Sequence, residues 1–135
     1  VFKSEVQLRV RYAETDRMGY VYYGRYAEYF EIARVESLRS LGISYRELED
    51  SGILLPVIDY SVRFFKPVFY DEWIVVKTVI PELPAARITF QYETCNKDDV
   101  LLNSASTSLA FISKETQRPC RAPDLLIKKL KPFFN

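Results

Sequence analysis

Histidine is absent from the 135 residues. That removes the Ser-His-Asp and Cys-His nucleophile systems and most zinc and non-haem iron sites. Acid–base chemistry near neutral pH is left to carboxylates, Tyr, Lys, Cys or backbone dipoles. Cysteine is scarce too. Cys95 and Cys120 make neither a disulfide framework nor a zinc site, and without an obvious basic activator each reads as a buried thiol. Long runs of like charge are missing: 19 basic and 18 acidic residues are interspersed, so no nucleic-acid arm or polybasic membrane segment is expected. No apolar run approaches the length of a bilayer span, and the first residues lack a secretory apolar core. No membrane partner is expected, and the cytoplasm is the expected location.

What the chain has is apolar and aromatic bulk. Hydrophobic residues make up 48% of it, enough for one core without staples, so a single domain over residues 1–135 is expected. Ten Tyr and nine Phe stand against one Trp, and Tyr combines ring burial with a polar tip suited to a pocket or a subunit interface.

Residues 5–12 alternate, with Val6, Leu8, Val10 and Tyr12 on one face, which predicts a half-buried strand. Turn-forming residues from Ala13 to Gly19 end it. Over 22–41 the spacing of Tyr22, Tyr26, Tyr29, Phe30, Ala33, Ser37 and Leu41 predicts a long helix touched on several sides, which Gly42 would end. Ser44 and Glu47 have capping-box spacing for a short helix over 45–51. After Pro56 an extended stretch puts Ile58, Tyr60, Val62 and Phe64 on one face, with Asp59, Ser61, Arg63 and Phe65 on the other. Three more strands are predicted over 72–80, 87–95 and 100–112, with 96–99 as a hairpin turn, followed by a short helix over 124–130. Strands close in sequence usually pair antiparallel, and one long helix needs a sheet to cover it. The expected class is a two-layer α+β arrangement.

The stretch from Tyr12 to Tyr26 sets an acidic turn just ahead of the long helix. The first turn of a helix carries N–H groups without intrahelical acceptors and the positive end of the macrodipole. It therefore stabilises an oxyanion without histidine. A carboxylate a few residues upstream is placed to attack a carbonyl held there, or to direct water at it. Asp16 occupies that position. The same residue type also serves merely to cap a turn, and the residues alone leave both roles open.

The run Tyr-x-x-Thr-Asp-x-x-Gly-x-Val-Tyr-x-x-x-Tyr-x-x-x-Phe-x-x-Ala-Arg, from Tyr12 to Arg34, resembles the signature of the 4-hydroxybenzoyl-CoA thioesterase family. The later Val62-Arg-Phe-Phe-Lys-Pro67, followed by Tyr70-Asp-Glu72, is similar to that family's next strand and turn. The resemblance implies a hot-dog fold, in which a curved antiparallel sheet of about five strands wraps one long helix. It implies hydrolysis of acyl-CoA to free acid and CoA, and a homodimer or homotetramer with active sites at the subunit interface. It implies no metal or redox cofactor. By the same resemblance Asp16 is the nucleophile or general base, and the backbone N–H of Tyr23 binds the thioester oxygen. Gly19, Val21 and Tyr26 of that motif are taken as substrate-binding. Arg63 and Lys66 are candidate cations for CoA phosphates, or a solvated strand end.

Two positions depart from the pattern. Tyr23 stands where many relatives have His, which a backbone contact tolerates, and Arg25 stands where they usually have Asn. Arg25 is either solvated or a contact for a phosphate or carboxylate. Glu28 lies in the first helical turns, and Glu31 is a reserve carboxylate, or simply an exposed or ion-paired side chain with Arg34 three residues on. Arg34 and Glu36 are expected to serve structure or an interface. The competing function is a non-catalytic acyl-CoA or acyl-carrier-protein binding module on the same fold; a hydratase of this fold is disfavoured by the missing histidine.

Overall fold

Alternation from the first residues makes Phe2–Arg9 a strand, β1, in the computed structural model, which describes residues 1–135. It lies three residues upstream of the predicted 5–12. Tyr12 leaves the row and is 76% exposed, because Glu14 accepts from the Arg11 N–H at 2.8 Å and closes a 3₁₀ turn over Tyr12–Glu14.

The long helix is α1, Tyr26–Ser40, preceded by a 3₁₀ turn over Tyr23–Arg25. It starts later than the predicted 22, for a tertiary reason. The Val21 N–H is bound by Val68 O and the Tyr22 N–H by Glu14 O, which holds Tyr22 extended. Tyr26, Tyr29, Phe30, Ala33, Arg34, Ser37 and Leu38 are buried, a continuous stripe at helical spacing. Ala27, Glu28, Glu31 and Ile32 are exposed, so contact on several sides is not what α1 makes. Gly42 ends it at φ 85°, where a side chain would be strained, and the Ile43 N–H reaches back to Leu38 O at 3.0 Å.

Helix α2, Tyr45–Asp50, is capped by Ser44, whose Oγ accepts from the Glu47 N–H at 3.1 Å. Strands β2 (Ile53–Leu54) and β3 (Val57–Phe64) follow, then β4 (Trp73–Ile80), β5 (Arg87–Asn96), β6 (Leu101–Ala110) and the short β7 (Ile112–Ser113). In the turn after β5, Asn96 Oδ1 accepts from the Asp98 and Val100 N–H groups. Helix α3, Asp124–Leu130, closes the chain's regular structure with a 3₁₀ turn behind it.

The main sheet is antiparallel, in the order β1-β4-β5-β6-β3, and β2 pairs with β7 beside it. The α+β architecture of five strands and one long helix is therefore as expected. Register places Tyr60 opposite Thr107 and Phe64 opposite Asn103, whose side chains are buried. Ile58 leaves that row, since it sits at a bulge between Val57 and Asp59. Helix α1 packs on β1 and β4. The edge strand β3 thus keeps Tyr60 and Phe64 half exposed, their rings against Phe30 and Tyr26 of α1. One cluster of 24 buried residues forms the core beneath it.

Candidate active site

Three backbone connections build the loop ahead of α1. Thr15 and Val21 form an antiparallel bridge, Tyr20 bridges Phe69, and the Val21 N–H donates to Val68 O at 2.8 Å. Within the loop the Asp16 N–H donates to Tyr20 O at 2.9 Å, and Asp16 O accepts from the Gly19 N–H at 3.0 Å. Gly19, at φ 85°, makes that reversal possible.

The Asp16 side chain is half-buried and forms no ion pair. Its Oδ1 accepts from the Met18 N–H at 2.8 Å, which fixes the carboxylate plane, and Oδ2 has no protein donor. Tyr23 opens the 3₁₀ turn that leads into α1, so its N–H has no intrahelical acceptor, and no other backbone acceptor takes it.

A cleft of about 300 Å³ lies between this loop and the segment after β3. Asp16, Val21, Tyr23, Tyr26 and Lys66 all line it. Of the other expected site residues, Gly19 shapes the turn without lining the cleft. Arg63 lines a separate depression with Gln91 and Glu93, on the sheet face away from α1. The sequence reading did not single out Met18, Tyr20, Phe64, Phe65 and Pro67, which complete the apolar lining. The signal for the last three was their place in the second motif, Val62 to Pro67. Burial pushes the Tyr26 hydroxyl up to about 12, so that ring presents a neutral O–H to the cleft.

A second feature also escaped the sequence reading. Glu14 is 4% exposed and accepts from the Arg11 N–H at 2.8 Å, the Arg11 Nε at 2.9 Å and the Tyr29 hydroxyl at 2.8 Å. Burial works to raise the Glu14 carboxyl, but these donors outweigh it and hold it below the ordinary carboxylate value. Tyr29 is raised by burial first and by its bond to Glu14 second. Tyr29 belongs to α1 and Glu14 to the loop two residues before Asp16, so the pair locks the carboxylate's loop to the helix that follows the unpaired Tyr23 N–H. Nothing in the local pattern marks this bond.

The remaining candidates settle as follows. Arg25 is tied to Glu28 at 2.9 Å, and Glu36 to Arg39 at 3.4 Å. Glu31 is exposed, as the plainer of its expected roles allows, and makes no ion pair with Arg34, which turns into the core toward Tyr45 and Tyr92. Cys95 is buried and Cys120 half-buried, and burial raises the Cys95 thiol. No group of three or more Cys, Asp or Glu side chains is placed to hold a metal ion, and no helix is long and apolar enough to cross a membrane.

A family model described as the thioesterase-like superfamily matches residues 10–130. The chain is 34% identical over 116 residues to the Bacillus subtilis (strain 168) protein YneP, across 86% of this chain and 84% of that one. It is 26% identical over 124 residues to the acyl-CoA thioester hydrolase YbgC of Escherichia coli O6:H1, across 92% of each. Among solved structures, the DHNA-CoA thioesterase of Staphylococcus aureus is 37% identical and superposes with a TM-score of 0.84, covering 98% of this chain and 83% of that one. The likeness takes in the whole sheet and α1, and the fold is the hot-dog fold.

Proposed function

The chain belongs to the thioesterase-like superfamily, and we propose that it hydrolyses acyl-CoA thioesters to free acid and CoA, with Asp16 as nucleophile or general base. The observation that carries this reading is a convergence on one cleft. Asp16 brings a carboxylate oxygen that no protein donor occupies, and Tyr23 brings a helix-start N–H that no acceptor occupies.

The thioester carbonyl points at the Tyr23 N–H, which meets the negative charge that grows on its oxygen. Such a donor is worth about 2.7–4 kcal/mol in the transition state. By the nucleophilic route, Asp16 Oδ2 bonds to the carbonyl carbon, the carbon–sulfur bond breaks and CoA leaves as thiolate. Water then opens the resulting anhydride. By the general-base route, Oδ2 takes a proton from water, whose oxygen bonds to the same carbon before CoA leaves. Both routes end with the free acid and CoA, and neither needs histidine. The acyl group lies against Val21, Tyr26 and Phe64. Lys66, which has no ion partner, faces the phosphates of CoA.

The same reading makes the active molecule a homo-oligomer with sites at the subunit interface. What supports it is β3, an edge strand of eight residues whose Val57, Ile58, Tyr60 and Phe64 are all more than 40% exposed. An edge so long and apolar calls for a covering partner.

The deciding experiment is to incubate the purified protein with a panel of acyl-CoA thioesters and a thiol reagent. Release of CoA thiol that Asp16→Asn abolishes is the expected result. Saturable binding without release would leave a binding module instead.

A further inference from the structure

Arg34 is 6% exposed, and no carboxylate pairs with it: the chain's five ion pairs take Arg9, Arg11, Arg25, Arg39 and Lys77. Two hydroxyls accept from it, Tyr45 at Nε and Tyr92 at Nη1, each at 3.3 Å. A guanidinium has five N–H donors, so three are left without a protein acceptor. Tyr92 Oη is itself shared with Thr107 Oγ1 at 2.6 Å. The chain thus holds the cation in place without balancing its charge, and a buried charge in that state costs stability until an acceptor reaches it.

Arg34 lines a cavity of about 260 Å³ together with Phe30 and Glu31 of α1, Val57 and Tyr60 of β3, and Thr107. The cavity lies at the border of the main sheet, because β3 is the last strand in its order and Val57 and Tyr60 are exposed there. No carboxylate of this chain answers the cation from within it. Glu31 makes no ion pair, and Glu28, which also lines the cavity, is taken by Arg25. Water would fill an open cavity as readily as a protein group, so the guanidinium alone does not decide the occupant. The strand does. An edge of eight residues with Val57, Ile58, Tyr60 and Phe64 exposed calls for a covering chain, and any chain laid along it covers two walls of this cavity.

We propose that Arg34 anchors the contact between two copies of this chain: the second copy lays an oxygen acceptor, a carboxylate or a carbonyl, on its free N–H groups. This inference rests on the subunit contact proposed above and names the residue on which that contact turns. A two-fold axis repeats every contact, so each copy gives one acceptor and receives one. Apolar burial along β3 supplies area but little orientation. A buried cation that has to meet an oxygen fixes the register of the two edges and penalises a slipped pairing.

Sedimentation equilibrium on the purified protein and its variants gives the dissociation constant that tests this. Arg34→Met is expected to raise it by about a hundredfold or more, and Arg34→Lys by less, since an ammonium keeps the charge but not the fork. Glu31→Gln separates the two acceptors. It tightens the contact if the oxygen is a carboxylate, by removing a like charge from the cavity, and leaves it unchanged if the oxygen is a carbonyl. Folding is controlled by making the same Arg34→Met change in an Ile58→Lys chain, which is expected to be monomeric and alters no residue of the cavity. There the cation has no second copy to meet, so Arg34→Met is expected to leave the denaturant midpoint equal or higher. A midpoint that falls in that background would assign Arg34 to the fold of its own chain and overturn the proposal. So would a dissociation constant that Arg34→Met leaves unchanged, or an Ile58→Lys chain that keeps its oligomer. A wild-type protein that is monomeric at every concentration would sink the subunit contact itself, whereas an oligomer indifferent to Arg34→Met sinks only the role of Arg34.

Discussion

The Tyr29 hydroxyl donates to Glu14 Oε1 at 2.8 Å across fifteen residues of sequence. It joins α1, which follows directly on the turn with the unpaired Tyr23 N–H, to the loop that carries Asp16. Tyr29→Phe keeps the ring and deletes that bond, leaving a buried carboxylate short of one donor. A bond to a charged group is worth about 1.5–3 kcal/mol, and a loss of stability in that range is expected from denaturant titration. Because Asp16 sits two residues beyond Glu14, kcat/KM is expected to fall as well. Unchanged activity in a folded Tyr29→Phe protein would show that the loop holds its place without this bond.

Asp16→Asn separates chemistry from folding. The Asn Oδ1 accepts from the Met18 N–H as the Asp Oδ1 does, so the turn survives and the melting temperature is expected to stay near wild type. Turnover is expected to fall on the order of 10²-fold or more, because an amide neither attacks nor takes a proton. Thiol release and thermal melting measured on the same preparation check both halves.

Titration of the Glu14 network bears on stability in acid. The folded protein holds the Glu14 carboxyl below its ordinary 4.5, so the stability it contributes is fully present above that value and is lost as pH falls through the depressed one. At the alkaline end, Tyr26 and Tyr92 are raised from 10.0 to about 12 by burial. Their contribution is fully present below 10.0 and drains away between 10.0 and about 12. Denaturant midpoints are expected to fall at both ends, and Glu14→Gln is expected to flatten the acid limb. An acid limb unchanged in that variant would assign it to other carboxylates.

How much of this was legible beforehand depends on whether the governing contact is local. The strands over 72–80 and 87–95 and the cap of α2 were readable, because alternation and Ser44–Glu47 spacing act within a few residues. The start of α1 was not, since Val68 O and Glu14 O dictate the conformation of residues 21 and 22. For Arg34 the i,i+3 rule favoured Glu31, but the partner it found, Tyr92, is 58 residues away. Arg63 shows a subtler limit. Alternation put it opposite Tyr60 and Phe64, yet only the packing of α1 decides which face of β3 looks toward the cleft. Half of the cleft's lining was readable: Asp16, Val21, Tyr23 and Tyr26 from the motif around Asp16, and Lys66 from the second motif. The Glu14–Tyr29 network that holds them depends on long-range packing.

Ile58 tests the oligomer without touching the Asp16 cleft. It sits at the β3 bulge, is 51% exposed and does not line the Asp16 cleft. Ile58→Lys leaves the core of a single chain untouched, so far-UV circular dichroism is expected to match wild type. If β3 is the subunit interface, the lysine sets like charges together across a symmetric contact and desolvates them, and light scattering is expected to report monomer. Activity is then expected to fall with the oligomer, because the seam between α1 and β3 loses the surface that would close it. An Ile58→Lys protein that stays oligomeric would place the interface elsewhere on the sheet or on the exposed face of α1. One that becomes monomeric and keeps full activity would show that each chain holds a complete site.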